Sequence, residues 1–400
     1  MIESHKPFKI AKPVLEKIIQ AGYQAYFVGG SVRDVLLDKE ISDVDIASSA
    51  TPYEIKEIFS NTVDLGIEHG TVLVLEGGEG YEITTFRTES EYEDFRHPSA
   101  VTFVRSLEED LKRRDFTINA LALGIDGHVT DYFEGKEDLE RQLIRCVGNP
   151  TERFNEDALR MFRAVRFISQ LDFKIDPATK QAISELYQNM ENVAVERMRV
   201  EWVKTMMGIG RKAGIRELLV TKLYTVCPQF KEMPLALEQL ANNPMERLTE
   251  LQGWVLLAYY AELSDKQVKK LLREWKCSNQ SLNSVATALT TLRKRLNKEY
   301  DFFMAYDCPK EIAVEVEMLL PSLGGVANLE QLTATYEALP IHQVNELALN
   351  GNDIFTILHL EKKGPVIGKA LNLMKEQVLA GQVANTKADL EQLILAADLV

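Results

Sequence analysis

The 400-residue chain lacks several features that would place it in a specialised class of protein. It has four cysteines and no closely spaced pair of them, which argues against a zinc site and against a disulfide framework. It has no run of about 18 apolar residues, and the N-terminal sequence MIESHKPFKI contains no apolar secretory signal. We therefore expect a cytoplasmic protein with no membrane partner.

The chain as a whole also lacks the excess of positive charge that many nucleic-acid-binding proteins carry. Its net charge is −14, and the first 140 residues, with 14 Lys and Arg against 28 Asp and Glu, account for all of it. Residues 141–220 carry a net charge of +4 and residues 261–300 a net charge of +5. This distribution allows a cation site in the first third and contacts to a phosphate backbone further along. A mildly basic, solvated surface is the alternative explanation of the downstream excess.

The hydrophobic pattern changes after about residue 140. Before that point, strand patterns such as YQAYFVGG, VDIA, TVLVLE and YEITTFR alternate with helical ones, and Gly77-Gly78 is typical of a hairpin turn. Beyond it, helical patterns dominate. We predict an α+β fold with a catalytic head that contains a small mixed or antiparallel sheet, followed by an elongated all-α remainder. The predicted divisions are head 1–140, neck 141–215, body 216–290 and tail 291–400.

The segment ISDVDIA (41–47) contains the first candidate site residues. Side chains two apart on a strand project from one face, so Asp43 and Asp45 are expected to point the same way. Two neighbouring carboxylates repel each other unless a cation neutralises them, and their oxygen atoms suit Mg²⁺. Glu82, on a neighbouring predicted strand, is a candidate third metal ligand, although a carboxylate on a half-exposed strand needs no function.

The preceding segment, FVGGSVRDVLL (27–37), predicts a binding site for an anion. Gly29 and Gly30 allow backbone N–H groups to come close to a phosphate, and a helix that starts at Ser31 would direct its positive dipole end to the same place. Arg33 adds a planar guanidinium suited to phosphate oxygens. A phosphate-binding turn and a metal site within about 17 residues together indicate nucleotidyl transfer.

These residues resemble the signature of the polymerase-β-type nucleotidyltransferases. More narrowly they resemble the class II CCA-adding enzymes, tRNA nucleotidyltransferases to which bacterial poly(A) polymerases are similar. The resemblance continues in the family's order, over about the first 210 residues, through RRDFTINALA (113–122), DYFEGKEDLERQLIR (131–145), EDALRMFRAVRF (156–167) and ERMRVE (196–201). The lack of a recognisable His-Asp phosphohydrolase domain is typical of the Gram-positive form.

The resemblance implies an activity, substrates and a cofactor. It implies template-independent addition of C, C and A to the 3′ end of tRNA from CTP and ATP, with release of pyrophosphate by a two-metal mechanism that uses Mg²⁺. It also assigns Arg114 to the nucleotide and Asp115 to its sugar. From the residues alone, a charged helix entry capped by Asp115 would be the simpler explanation.

The segment EDALRMFRAVRF predicts an amphipathic helix whose polar residues, Asp157, Arg160, Arg163 and Arg166, recur every three positions. An i,i+3 ion pair between Asp157 and Arg160 would explain this pattern without a substrate. The alternative is base recognition, in which the carboxylate accepts from the exocyclic amine of cytosine or adenine and the guanidinium donates to the adjoining ring atom. Guanine and uracil present a carbonyl where that amine should be, which leaves buried polar groups unpaired. The resemblance implies base recognition and directs Arg163 and Arg166 towards the triphosphate.

The remaining segments support narrower predictions. The polar segment 86–111 resembles the family's flexible loop, and its full length favours complete CCA synthesis. The basic stretches 272–280 and 291–298 are candidate contacts to the tRNA backbone, with a solvated helix face as the alternative.

Several functions remain open from the sequence. The nearest are CC addition, A addition and poly(A) polymerisation, although the chain ends in DLEQLILAADLV and not in the basic extension usual in poly(A) polymerases. A non-catalytic RNA-binding or nucleotide-binding protein is a further alternative, against which the retention of Asp43, Asp45 and Arg160 argues. The sequence also leaves open a homodimer.

Overall fold

The structure is a computed structural model that describes residues 2–41, 43–89, 101–362, 364–397 and 399. The chain forms two compact units, Met1–Asn242 with Glu246–Leu248, and Asn243–Met245 with Thr249–Val400. The predicted divisions at residues 140, 215 and 290 stay predictions. Residues 90–100, in the segment that resembles the flexible loop, lie outside the described residues.

The first unit contains a seven-stranded mixed sheet, which confirms the predicted α+β head. The strands of the unit are β1 (Ala25–Val28), β2 (Asp45–Ser48), β3 (Thr62–Gly66), β4 (Thr71–Glu76), β5 (Glu79–Thr85), β6 (Arg87–Glu89), β7 (Val101–Phe103), β8 (Leu121–Leu123), β9 (Val129–Asp131), β10 (Leu143–Ile144) and β11 (Lys174–Ile175). The sheet order is β3-β4-β5-β2-β1-β8-β9, in which β2 and β5 are parallel and the other neighbours antiparallel. The strands β6 and β7 form one separate pair, and β10 and β11 form another.

Local sequence explains how the sheet is built. Gly77 and Gly78 have φ angles of 63° and 88°, which residues with a Cβ rarely adopt, and they close the predicted hairpin between β4 and β5. The pair β10 and β11 lies beyond residue 140, where the pattern indicated helices alone. Two residues per strand are too few to produce a detectable alternation.

The helices of the first unit are α1 (Lys6–Gln20), α2 (Gly30–Leu36), α3 (Pro52–Ile58), α4 (Leu107–Lys112), α5 (Gly135–Glu140), α6 (Pro150–Glu156), α7 (Leu159–Leu171), α8 (Pro177–Leu186), α9 (Val195–Met207), α10 (Arg211–Val220) and α11 (Pro234–Asn242). The helix α1 covers the sheet through Phe8, whose ring stacks on Phe27 with 4.6 Å between the centroids. The helix α7 packs against α9 and α10. A Cβ on Gly214 in α10 would lie 2.8 Å from the Cβ of Ser169 in α7, so a glycine permits this close approach.

The described part of the second unit is helical, as predicted. Its helices are α12 (Glu250–Tyr260), α13 (Asp265–Glu274), α14 (Asn279–Arg295), α15 (Phe302–Asp307), α16 (Lys310–Leu319), α17 (Leu329–Glu337), α18 (Gly351–Ile357), α19 (Pro365–Leu379) and α20 (Lys387–Ala396). Trp254 and Trp275 meet edge to face in its core, 5.7 Å apart. In the parts of both units that the structure describes, no helix has the length and apolar character needed to cross a membrane.

Candidate functional site

The glycine turn lies where β1 ends and α2 begins. Gly29 has a φ of 72°, and a Cβ on this residue would lie 3.3 Å from Nη1 of Arg114 and 3.7 Å from Oδ2 of Asp45. The structure therefore brings the turn, the aspartate and Arg114 together, and only glycine fits this position without strain. The helix α2 starts at Gly30, one residue before the predicted start. Ser31 is buried and its hydroxyl donates to the carbonyl of Val28, which fixes the turn.

The two aspartates lie at the entrance to β2. Asp45 is the first residue of the strand and pairs with Val28 of β1, whereas Asp43 precedes the strand. The strand alternation that predicted their common orientation therefore does not apply to Asp43. Both residues nevertheless line one cavity of about 620 Å³, together with Val44. Ile46 is 1% exposed and does face the core.

Glu82 lies in β5, beside the aspartates, and lines the same cavity. Its neighbour Ile83 pairs with Ile46 across the parallel β2–β5 contact. Burial raises the pKa of Asp45, and the charges of Glu82 and Asp43 add to this effect while Arg114 opposes it. The ionised form of Asp45 is thus disfavoured unless a cation is close.

The donor atoms at this place fit a hard divalent cation. Asp43 and Asp45 offer carboxylate oxygens, which Mg²⁺-type ions prefer, and such ions are commonly held by one or two carboxylates plus substrate phosphates and water. Across the described residues, no group of three or more His, Cys, Asp or Glu side chains forms a preassembled metal site.

Arg33 is held in one orientation beside the turn. Its Nε donates to Asp34 at 2.9 Å, its Nη1 donates to Oδ1 of Asn119 at 2.8 Å, and its guanidinium lies 5.2 Å from the ring centre of Phe167. Asn119 also donates to Asp115 at 3.1 Å, so it connects the turn to the next group of predicted residues. An arginine held in this way loses little side-chain entropy when it binds an anion.

Arg114 and Asp115 follow α4, in the connection to the next short turn of helix. Arg114 donates to Oδ2 of Asp110 at 3.3 Å, and its Nη1 is the atom nearest to Gly29. Asp115 is 8% exposed and is paired with Arg163 at 2.6 Å. Burial alone would raise the pKa of Asp115, but the Arg163 charge and the hydrogen bond from Asn119 hold it well below its usual range. This carboxylate therefore stays ionised in the folded protein.

Three guanidinium groups surround one aromatic ring. Arg33, Arg163 and Arg166 lie 5.2, 5.5 and 4.1 Å from the ring centre of Phe167. Burial lowers the pKa of Arg166 to about 10, while the charge of Glu201, 3.1 Å away, opposes this effect. Arg163 and Arg166 are thus brought to the same place as Arg33, and each of the three guanidinium groups is also paired with a carboxylate, that of Asp34, Asp115 or Glu201.

The side chains of the predicted base-reading residues do not pair with each other. Asp157 has φ −133° and ψ 103° and ends α6, because α7 starts only at Leu159. Its carboxylate accepts from Arg197 of α9, with Nη2 to Oδ2 at 2.8 Å and Nη1 to Oδ1 at 3.4 Å. Asp157 is thus not a member of the helical face on which the pattern placed it, and the i,i+3 helix pair is not formed.

Arg160 is held by a separate set of contacts. Its Nη1 donates to Glu156 at 2.6 Å and to the carbonyl of Arg153 at 3.2 Å, and its Nη2 donates to the carbonyl of Arg113 at 2.9 Å. These bonds fix the plane of a guanidinium that is 9% exposed. Asp157 and Arg160 are therefore each oriented by other residues.

Sequence reasoning missed three residues that organise the site. Asn119 and Phe167 lie inside quoted motifs, but an amide and an aromatic ring give no charge signal by themselves. Arg197 lies in the segment ERMRVE, but its contact with Asp157, 40 positions away, leaves no periodic signal. In the second unit, Arg295 of the basic stretch 291–298 is buried and pairs with Glu317 at 2.9 Å, so its charge is held inside that unit.

Comparison with known proteins gives consistent matches along the chain. Residues 25–145 match the poly(A) polymerase head domain, residues 172–233 the RNA- and SrmB-binding site of polymerase A, and residues 246–394 tRNA nucleotidyltransferase domain 2. CCA-adding enzymes from Enterococcus faecalis and Limosilactobacillus fermentum are each 48% identical to it. The first alignment covers 94% of this chain and 93% of the relative, and the second covers 98% and 96%.

A solved structure extends this similarity to three dimensions. The crystal structure of the Bacillus stearothermophilus CCA-adding enzyme in complex with CTP matches with a TM-score of 0.90 at 37% identity. The match covers 98% of this chain and 97% of that one. The similarity therefore spans both units.

Proposed function

The chain belongs to the family of CCA-adding enzymes, and from this premise we propose that it adds C, C and A to the 3′ end of tRNA. CTP and ATP are the proposed substrates, pyrophosphate is released, and no nucleic-acid template is used. The observation that carries the proposal is the position of Asp45 and Arg114 beside the Gly29 turn, where a Cβ on Gly29 would lie 3.7 Å from Oδ2 of Asp45 and 3.3 Å from Nη1 of Arg114. The four cysteines are free thiols, which suits the reducing cytoplasm in which we place the reaction.

The proposed reaction is an in-line displacement at the α-phosphorus. The RNA 3′-hydroxyl attacks, the bond between the α-phosphorus and the bridging oxygen breaks, and pyrophosphate leaves on the opposite side. Divalent cations held by Asp43 and Asp45, which we propose to be a pair of Mg²⁺ ions, would neutralise charge on the phosphate oxygens and polarise the attacking hydroxyl. Glu82 is a candidate further ligand.

The arginines around Phe167 take the charge of the triphosphate in this proposal. Arg33, Arg163 and Arg166, with Arg114 beside the turn, donate to the β- and γ-phosphates and stabilise pyrophosphate as it leaves. Backbone N–H groups of the Gly29–Gly30 turn approach the same phosphates. Asp115 accepts from a ribose hydroxyl, for which its persistent negative charge is suited.

Base selection is assigned to Asp157 and Arg160. Cytosine and adenine both present an amine donor next to a ring-nitrogen acceptor, which matches a carboxylate acceptor next to a guanidinium donor. Guanine and uracil reverse both groups. Each unpaired buried polar group costs about 1–3 kcal/mol, so two reversed groups suffice to reject the wrong base.

Extension of a purified tRNA that ends at its discriminator base tests the proposal. We expect two nucleotides to be added with CTP alone, no addition with ATP alone, and three additions with both. Arrest after two with both substrates would indicate CC addition, and a ladder with ATP alone would indicate poly(A) polymerisation. No extension under any condition would favour a non-catalytic RNA-binding protein.

Alanine variants at the aspartates test the metal assignment separately. Asp43→Ala and Asp45→Ala are expected to abolish transfer while they retain part of the triphosphate affinity, because the arginines remain. Full activity in either variant would refute the assignment.

Sedimentation of the wild-type protein tests the separate prediction of a homodimer.

A further inference from the structure

Asp110, in α4, is a buried carboxylate at which two arginines of the following turn meet. Its side chain is 1% exposed. Its Oδ1 accepts from Nε and Nη2 of Arg113 at 3.0 and 2.9 Å, and its Oδ2 accepts from Nη2 of Arg114 at 3.3 Å. Spacings of three and four residues bring these side chains together over the last turn of the helix. Each guanidinium therefore has its own oxygen of one carboxylate.

Arg114 depends on this contact for its orientation. Within the described residues, Asp110 is the one side chain to which Arg114 donates a hydrogen bond. The Nε of Arg114 is buried and has no hydrogen-bond partner there, and its Nη1 would lie 3.3 Å from a Cβ on Gly29. Because a guanidinium is planar, the bond that holds Nη2 also restricts the direction of Nη1.

The two arginines keep Asp110 charged in the folded protein. Burial alone would raise the pKa of Asp110, but the charges of Arg113 and Arg114 and their hydrogen bonds hold that pKa below its usual value. An ionised carboxylate accepts at both oxygens, whereas an amide of the same size would present a donor to one of the two guanidinium groups. The charge of Asp110 is therefore needed to hold both arginines at once.

We propose that Asp110 is a positioning residue for the triphosphate. By holding Nη2 of Arg114 it directs Nη1 to the Gly29 turn, where the β- and γ-phosphates of CTP or ATP bind. This inference rests on the proposed function, and Asp110 itself touches no substrate. An arginine that is already oriented loses less entropy when the phosphates bind, so the contact increases the affinity for both triphosphates.

A purely structural role for Asp110 is the alternative. The backbone N–H of Arg87 also donates to Oδ1 at 3.4 Å, so Asp110 connects α4 to the start of β6. A structural role would act on stability and on every ligand of the site, whereas a positioning role acts through Arg114 on the β- and γ-phosphates alone. The two roles are separated by ligands that lack these phosphates and by variants that lack Arg114.

Titration of the full-length protein with nucleotides tests the inference. Asp110→Asn is expected to raise the Kd for CTP and for ATP about tenfold, equivalent to about 1.4 kcal/mol. The inhibition constant of pyrophosphate should rise by the same factor. The affinity for CMP, which has neither a β- nor a γ-phosphate, and the KM for tRNA should stay within twofold. Asp110→Glu retains the charge on a longer side chain and should give a Kd for CTP between those of the wild type and Asp110→Asn.

A double-mutant cycle with Arg114 identifies the residue through which Asp110 acts. In an Arg114→Ala background, Asp110→Asn should weaken CTP binding by less than twofold. An equal loss in both backgrounds, an equal loss for CMP, or an unchanged Kd for CTP in Asp110→Asn would each overturn the inference. If Asp110→Asn does not fold, Asp110→Glu takes its place in the cycle and the same outcomes decide.

Glu317→Gln is the matched control. Glu317 is 1% exposed and is paired with Arg295 in the second unit, so this variant also removes a buried charge held by a guanidinium. It should lower the melting temperature and leave the Kd for CTP unchanged. If the wild type extends tRNA as proposed and Asp110→Asn binds CTP equally well, the positioning role is rejected and the proposed function stands. A wild-type protein that binds no triphosphate would reject both.

Discussion

Replacement of Arg197 by glutamine tests whether base selection depends on a residue that touches no substrate in the proposed mechanism. Arg197 binds both oxygens of Asp157, at 2.8 and 3.4 Å, and the two side chains are 26% and 19% exposed. Asp157 also accepts the backbone N–H of Leu159 at 3.1 Å, which alone does not fix the carboxylate plane. Arg197→Gln should therefore leave the carboxylate free to rotate.

The size of the effect follows from the hydrogen bond that Asp157 would make to the base amine. A hydrogen bond to a charged group contributes about 1.5–3 kcal/mol, and loss of its direction removes most of the preference for an amine over a carbonyl. The ratio of kcat/KM for CTP to that for UTP is expected to fall by roughly 10- to 150-fold. Arg197→Lys should give a ratio between that of the wild type and that of Arg197→Gln, because an ammonium group cannot bind both carboxylate oxygens in one plane.

Single-nucleotide incorporation from each of the four triphosphates measures this ratio. Lys204→Gln is the control, because it removes one positive charge from an exposed position of the same helix. Asp157→Asn removes the carboxylate itself, so its fall in the CTP-to-UTP ratio is the largest that Arg197→Gln could produce. If Asp157→Asn relaxes selection and Arg197→Gln does not, the orienting role is refuted, and if neither relaxes it, Asp157 does not read the base.

Three further substitutions probe other parts of the site and the fold. Because burial raises the pKa of Asp45, its ionised form reduces stability at neutral pH, so Asp45→Asn should melt at a higher temperature than wild type in EDTA yet transfer no nucleotide. Phe167→Leu should raise the KM for CTP several-fold and lower the melting temperature, because the buried ring contacts three guanidinium groups and each cation–π contact contributes about 0.5–2 kcal/mol. Gly214→Ala should reduce the free energy of unfolding by about 1–3 kcal/mol in denaturant titration, since its Cβ would lie 2.8 Å from Ser169. An unchanged value in any of these measurements would contradict the corresponding contact.

The residues that local chemistry predicts well are those whose function depends on neighbours in the sequence. Gly77-Gly78 predicted a hairpin because the required φ angles belong to the turn itself. Asp43, Asp45 and Gly29 were predicted as site residues because they lie within about 17 residues of each other. The pairing of β1, which ends before Gly29, with β2, which begins at Asp45, places Gly29 and Asp45 side by side. The strand that explained the aspartates, however, begins only at Asp45.

The contacts that sequence could not predict join distant segments. Asn119 connects Arg33 to Asp115, which are 82 positions apart, and neither partner indicates the other through spacing. Arg197 lies in α9 and Asp157 lies between α6 and α7, so helical periodicity gives no indication of their contact. A resemblance can transfer the role of a residue, but the residue that orients it has to be found in three dimensions.

The break between α6 and α7 gives a physical reason for this arrangement. If α7 began before Asp157, the carboxylate would lie one turn from Arg160, and the two groups would satisfy each other. A base would then have to break that ion pair before it could bind, and its own hydrogen bonds would add little. The extended conformation at Asp157 removes it from the helix, and Arg197 and Glu156 hold the two charges by separate contacts. A carboxylate and a guanidinium kept apart in fixed orientations can present an acceptor and a donor to the base, as a template strand does.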